Sequence, residues 1–156
     1  MITIKQLSEK DFPEVIKLSL SIFKPKAEKQ DRYHDIQRWK KYFKHKGILL
    51  GAFIDKKLVG YLFCYQREPN QSSFHCWIAG VDEKHRQKGI LKTLISRLIE
   101  ILKEKDYKTF TINTWPEKFP AMYAYLTKYN YEEYKKEEKE WEGKKTLKVF
   151  FRKKIY

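Results

Sequence analysis

The chain has 156 residues, 42% of them hydrophobic and 35% charged, which suits one domain with a real core over residues 1–156 and excludes two comfortable ones. Its 34 Lys and Arg against 20 Asp and Glu give a formal net charge of +14; such a field draws anions, whether nucleic acid, an acidic membrane face or a phosphorylated small molecule, without choosing among them. No window approaches the roughly 18 apolar residues of a membrane span, and Met1-Ile2-Thr3-Ile4-Lys5 begins a strand pattern in place of a signal peptide, so a soluble, cytoplasmic protein with no membrane partner is expected.

Ile2 to Leu7 alternates as a strand, and Ser8 to Asp11 offers capping residues ahead of Phe12, Val15, Ile16, Leu18 and Ile22, the spacing of an amphipathic helix. After a polar break from Lys24 to Asp31, a second helix is predicted over Asp31 to Lys44, carrying Tyr33, Ile36, Trp39, Tyr42 and Phe43 and closed by Gly47. Ile48 to Ile54 and Leu58 to Tyr65 are β-rich runs across Asp55-Lys56-Lys57, the spacing of a hairpin. A turn at Pro69 to Ser72 leads to a strand from Phe74 to Val81. Gly89 to Lys105 sets Leu91, Leu94, Ile95, Leu98 and Leu102 on one helical face, and Tyr107 to Thr114 reads as a fifth strand. Pro116 opens a helix to about Lys128, and Tyr131 to Trp141 pairs with Thr146 to Arg152 around the turn Glu142-Gly143-Lys144-Lys145. The order β-α-α-β-β-β-α-β-α-β-β predicts a mixed α/β fold.

Cys64 and Cys76 lie in apolar runs without Cys-x-x-Cys spacing or paired histidines, so they read as small buried hydrophobes, with no metal site and no disulfide framework. His75 and Cys76, as strand neighbours, point to opposite faces and do not share a ligand.

The stretch from Phe74 to Lys105 carries the most information. An apolar strand delivers Val81-Asp82-Glu83-Lys84-His85-Arg86-Gln87-Lys88-Gly89-Ile90-Leu91 onto a helix. A basic, glycine-containing turn there makes an anion site from the backbone, because the first N–H groups of a helix lack partners and its dipole is positive at that end. Gly89 lets the main chain approach a phosphate with no Cβ in the way, while Arg86 and Lys88 add charge-assisted contacts.

The pattern Val81-x-x-x-x-Arg86-Gln87-Lys88-Gly89-Ile90, behind a β-α-α-β-β-β opening, resembles the acyl-CoA-binding motif of the GNAT superfamily of N-acetyltransferases, and the element order is similar along essentially the whole chain. The resemblance implies a GNAT-like α/β fold, with a mixed, mainly antiparallel central sheet flanked by helices, and acetyl-CoA as cosubstrate. It implies that the amides of Gln87, Lys88, Gly89, Ile90, Leu91 and Lys92 hold the pyrophosphate. The main chain of Ala79, Gly80 and Val81 would pair with the pantetheine arm between two splayed strands, and Asn113 would hydrogen-bond to that arm.

Two positions depart from the family pattern. Leu91 stands where a second glycine or alanine is usual; it either packs with Ile95, Leu98 and Leu102 while its N–H serves the phosphate, or crowds the cofactor. In many members a tyrosine ahead of a Gly-Phe pair protonates the departing thiolate, and aligning Asn130-Tyr131 with that pair puts Leu126 in its place. Tyr123, one turn earlier on the same side, is the candidate acid, beside a reading as plain packing.

Attack of an amine on a thioester also needs the amine's proton removed. His75, on the strand face of Trp77 and Ala79, is the candidate base, against a reading as a structural histidine. The acceptor pocket is expected from the first two helices, the Lys24 to Arg32 connection and the terminal hairpin. Trp39, Tyr42, Phe43, Tyr61, Tyr65, Trp77, Trp115 and Tyr125 are the available aromatic walls for a flat or cationic amine.

The expected function is transfer of an acetyl group from acetyl-CoA to a primary amine of a small molecule or protein, by direct attack on the thioester. One alternative is a nucleic-acid-binding module, suggested by charge and interleaved aromatics. Against it, no helix-turn-helix, RNA-recognition or zinc-finger signature occurs and the basic residues do not gather on one stripe. The other is a non-catalytic CoA-binding sensor of the same fold, marked by Leu91 and Leu126. Phosphate-loop, dinucleotide and His-x-x-x-His motifs are absent. Thr146 to Phe151, read as an edge strand guarded by Lys144, Lys145, Lys148, Arg152 and Lys153, leaves monomer and homodimer both open.

Overall fold

A short strand, β1 (Thr3–Leu7), opens the chain, and the Asp11 carboxylate accepts the Ser8 N–H at 2.9 Å to start the turn that leads into α1 (Phe12–Phe23). The structure is a computed structural model and describes residues 1–25, 31–69, 72–141 and 143–155. The expected turns at Pro69 to Ser72 and around Glu142, and the Lys24 to Arg32 connection, therefore lie partly outside the described residues. The second helix, α2 (Ile36–Phe43), starts later than the predicted Asp31. Asp31 is engaged with the Tyr33 N–H and the His34 ring, and Asp35 caps the helix by accepting from the Gln37 N–H at 3.0 Å.

The remaining elements are β2 (Ile48–Ile54), β3 (Lys57–Tyr65), β4 (Ser73–Val81), α3 (Ile90–Glu104), β5 (Thr109–Thr114), α4 (Pro120–Lys128), β6 (Glu132–Trp141) and β7 (Lys144–Lys154). The helix predicted from Pro116 begins at Pro120 instead, because the Trp115 carbonyl accepts the Lys118 and Phe119 N–H groups in a separate turn. A proline suits a first helical position, where no N–H is needed. All strands join one sheet in the order β1-β2-β3-β4-β5-β7-β6, antiparallel except for β4 and β5. The parallel pair is reached through α3, the crossover such a pair requires. Thr146 to Phe151, expected as an edge, is interior: β7 lies between β5 and β6, and β6 forms the edge.

Each face of the sheet carries its own core. On one side Leu94, Ile95, Leu98 and Leu102 of α3 and Leu126 of α4 bury Phe110, Ile112, Val149 and Phe151. On the other, Phe12 and Val15 of α1 and Trp39 of α2 cover Leu49, Tyr61, Phe63 and Ile78 of β2 to β4. A strand buried on both faces reads as a continuous apolar run, as Leu58 to Tyr65 does. The cluster beneath α1 and α2 includes no residue of β5, β6 or β7. Cys64 and Cys76 are buried free thiols directly opposite one another in the β3–β4 register, a cross-strand proximity their sequence spacing does not reveal.

Candidate active site

β4 and β5 pair only from Ser73 opposite Thr109 to Cys76 opposite Ile112. Beyond that point β4 follows β3 to Val81, while β5 follows β7 to Thr114. The two strands part, and the main chain of Trp77 to Val81 has no strand to pair with on its β5 side. A bulge sits at the parting, since Phe63 opposes Ile78 but Cys64 opposes Cys76, leaving Trp77 as the extra residue. The bulge reverses the alternation. His75 and Trp77 face α1 and α2 as expected, but Ala79 and Val81 turn to the α3 side, so Ala79 does not share the face of His75.

From Val81 the chain enters a short turn in which the His85 ring donates to the Asp82 carboxylate at 2.9 Å. That bond, aided by the His85, Lys57 and Lys84 charges, holds the Asp82 carboxyl below its usual range. Arg86 Nε donates back to the Val81 carbonyl at 3.3 Å. Gln87 (φ +63°) and Gly89 (φ +76°) are both left-handed, which turns the chain sharply into α3. Arg86 to Gly89 are exposed, and among the described residues the N–H groups of Gln87, Lys88, Gly89, Ile90, Leu91 and Lys92 have no acceptor. Six adjacent donors at a helix start, beside the Arg86 and Lys88 side chains, make a cradle that can take an anion. Leu91 packs against the main core, with its N–H left outward-going and unpaired.

Ile90 anchors this start. It is buried against β3, where a Cβ at Gly60 would come within 2.9 Å of Ile90 Cγ2 and 3.3 Å of the Gly80 carbonyl. Glycine at position 60 is thus what lets helix and strand meet beside the parting.

At the open end of β5, Asn113 Oδ1 and Trp115 Nε1 are buried without partners among the described residues. Orphaned polar groups beside an unpaired strand edge fit a ligand that supplies amides and carbonyls. Tyr123 packs edge-on to Phe151 of β7 at 5.8 Å, whereas Tyr125 lies 4.7 Å from the Tyr129 ring, over which the Lys92 ammonium of α3 sits at 5.4 Å. Tyr125 thus lies on the side of α4 toward Lys92, and burial pushes its hydroxyl up to about 12, so it stays protonated. Leu126 is fully buried.

His75 is 4% exposed and both of its ring nitrogens are taken. The Arg67 guanidinium can only donate, so Nε2 accepts from it, and Nδ1–H donates to Thr111 Oγ1 at 2.8 Å. Burial first, then the Arg67 and Lys148 charges, hold its pKa well below the usual histidine value. The candidate base is thus a neutral ring without a free lone pair, and its role is to fix Arg67 and Thr111.

The sequence matches the model of the acetyltransferase (GNAT) family over residues 4–131, which covers both the parted strands and the cradle. The chain belongs to the GNAT family. No curated protein matches it. Among solved structures, the ribosomal-protein-S18-alanine N-acetyltransferase of Escherichia coli superposes with a TM-score of 0.81 at 12% identity, covering 99% of this chain and 94% of that one. A GNAT-family acetyltransferase of Staphylococcus aureus Mu50 gives 0.79 at 20% identity over 100% of both chains. YncA of Salmonella typhimurium, solved with acetyl-CoA, gives 0.80 at 14% identity over 100% of this chain and 95% of the other. The mixed, mainly antiparallel sheet flanked by helices is the GNAT fold.

This GNAT chain also has a distinctive opposite side. Tyr33 stacks between Trp77 at 5.8 Å and Trp141 at 5.5 Å, and Trp141 meets Trp115 at 4.6 Å and Phe119 at 5.8 Å. Of the expected aromatic walls, Trp77 and Trp115 belong to this cluster, and Trp39, Phe43 and Tyr61 belong to the core under α1 and α2. Tyr42 stacks on Tyr65 at 4.5 Å, and Tyr125 lies on the other face of the sheet. Sequence reading did not single out Tyr33, Phe119 or Trp141 for the pocket, since only the return of β6 brings Trp141 beside residue 33. It also passed over a buried chain in which Asp31 accepts from His34 at 2.6 Å, and Ser19 Oγ lies 2.6 Å from both His34 Nε2 and the Tyr61 hydroxyl.

No helix among the described residues is long and apolar enough to cross a membrane. None of their His, Cys, Asp and Glu side chains group to hold a metal ion.

Proposed function

We propose that this GNAT protein transfers the acetyl group of acetyl-CoA to a primary amine of a small molecule or a protein, by direct attack of the amine on the thioester. The observation that carries this reading is the parted β4 and β5, whose unpaired main chain leads to the cradle at α3. The amides of Gln87 to Lys92, with Arg86 and Lys88, hold the pyrophosphate and offset part of its charge. Ala79, Gly80 and Val81 offer main-chain hydrogen bonds to the pantetheine arm, and the orphaned Asn113 amide gains a partner there. Acetyl-CoA supplies the activated acyl group.

The amine must react unprotonated. Arg67 is hydrogen-bonded to His75 on this face, and the Lys148 charge also acts on that ring. Positive neighbours lower the pKa of an ammonium brought among them, which raises the reactive fraction at neutral pH. Tyr125, whose hydroxyl stays protonated, is the first candidate donor to the departing thiolate, with Tyr123 as the second.

The experiment is the melting temperature with and without acetyl-CoA, followed by release of free CoA thiol with a panel of amines. A ligand at about 100 times its Kd stabilises by roughly 2.7 kcal/mol, several degrees for a domain of this size. Stabilisation with thiol release supports the acetyltransferase; stabilisation without it supports the non-catalytic CoA-binding reading; the absence of any shift at saturating acetyl-CoA overturns both.

A further inference from the structure

The face of β5 and β7 that looks toward α1 and α2 lies outside the core beneath those helices. Alternation puts Thr111 and Asn113 of β5 and Lys148 and Phe150 of β7 on it, opposite the buried Ile112, Val149 and Phe151. Two cations lie on this face. The Arg67 head is fixed by the buried His75, which spends its one acceptor on it and its one donor on Thr111. The Lys148 ammonium lies 5.1 Å above the Trp115 ring and 5.0 Å above that of Phe150.

Neither cation has a carboxylate within 4.0 Å among the described residues. The acid nearest in register to Lys148 is Glu137 of β6, and it is already held by Lys135 and Lys139. Partial burial first, then the Arg67 and Lys139 charges, lower the Lys148 pKa. Beside them the Trp115 N–H is a buried donor with no acceptor among the described residues. A fixed guanidinium, a half-buried ammonium and a free indole N–H form a donor set that lacks only an acceptor carrying negative charge.

We propose that the amine acceptor of this enzyme carries an anionic group, a carboxylate or a phosphate, which seats between Arg67 and Lys148 beside Trp115. This rests on the acetyltransferase reading above. It narrows that reading from any amine to amines whose far end is acidic, with the aromatic cluster of Trp77, Trp115 and Trp141 along the side of the pocket.

The test compares matched amines in acetyl-CoA-dependent thiol release: 4-(aminomethyl)benzoate against 4-(aminomethyl)benzamide, and O-phosphoethanolamine against ethanolamine. The expected result is that the member of at least one pair that bears the carboxylate or phosphate is preferred in kcat/KM by about tenfold, mainly through KM, and that added salt narrows the gap. Which pair shows the gap separates carboxylate from phosphate. Arg67→Gln and Lys148→Met each cut the preference several-fold while the stabilisation by acetyl-CoA persists, which reports that the fold and the cosubstrate site are intact. Members without the anionic group that match or exceed their acidic partners overturn the proposal and leave the acetyltransferase standing, as does a preference untouched in the double variant. No thiol release and no stabilisation by acetyl-CoA overturns both.

Discussion

Ser19 sits fully buried in the middle of α1, where its hydroxyl serves both His34 and Tyr61 at 2.6 Å. A serine inside a helix is ordinarily a weak choice, yet here it satisfies a buried phenol and ties α1 to the start of α2 and to β3. Ser19→Ala leaves the Tyr61 hydroxyl without its partner in a fully buried place, and a loss of about 1–3 kcal/mol is expected in the denaturant midpoint; a change below about 0.5 kcal/mol would mean that water or a shifted ring replaces the bond. His75 gives a second prediction at this scale. Its folded pKa lies below the ordinary value, because of burial and of the Arg67 and Lys148 charges. The unfolded chain therefore binds a proton, below about pH 6.5, that the folded chain refuses. Stability is whole above that pH and falls as the pH drops, by up to about 1.4 kcal/mol per pH unit for one proton. Melting temperatures at pH 5 and pH 7 check this, and His75→Gln flattens that part of the slope. The cradle residues Arg86 to Leu91 were legible at once because their chemistry is local to one turn. The role of His75 was not, since its partners Arg67 and Thr111 come from other strands.

The start of α3 and the parting of β4 from β5 belong to whole elements. Gly89 has φ +76° with no atom within 4 Å of a built Cβ, whereas Gly60 lies in close contact with Ile90. The two glycines therefore differ in kind. Gly89→Ala strains only the backbone, by about 1 kcal/mol, and is expected to weaken acetyl-CoA several-fold by tilting the cradle amides, with little change in melting. Gly60→Ala forces Ile90 or β4 to move, and a loss of about 1–3 kcal/mol in unfolding free energy accompanies it; equal melting of the two variants contradicts this division. The helix carrying the tyrosines allows a parallel comparison. Tyr125→Phe is expected to lower kcat by about tenfold or more, in the range of a lost general acid, while Tyr123→Phe, packed on Phe151, changes it by less than about twofold. The reverse order in single-turnover rates would restore Tyr123 to the acid's role. Strand and helix periods predicted the order of the strands and α-helices, but not the short 3-10 turns at Glu9–Asp11 and Glu83–His85 or the starts of α2 and α4. They also missed the bulges, the one at Trp77 among them, because an extra residue on one strand shows only against the partner strand.

The positive charge of the whole molecule acts on the reaction through where it is left unpaired. On β6, Glu137 is held by Lys135 and Lys139 and its carboxyl is driven down to about 2, so that part of the surface is internally balanced. Arg67 and Lys148 are not balanced in this way. An acceptor without an acidic group leaves their field uncompensated, and its amine titrates below its solution pKa, because the charged form is the one that field disfavours. With ethanolamine as acceptor the rate is thus expected to rise with pH to a midpoint below that of the free amine, and Lys148→Met moves the midpoint up by about half a pH unit, or about 0.7 kcal/mol. A midpoint identical in the variant and the parent counts against the field and in favour of a proton acceptor elsewhere.

The amino-acid sequence by itself determined the element order, the apolar face of α3 and the turn that gathers unpaired amides at its start, because periodicity, caps and glycine act over a few residues. The tertiary structure alone decided the sheet order that slips β7 inside β6, the parting of β4 from β5 and the meeting of Tyr33 with Trp141. It also set Arg67, His75 and Lys148 on one face. Those depend on which strands become neighbours, and neighbourhood across a sheet is settled by the packing of both faces at once, which no local pattern encodes.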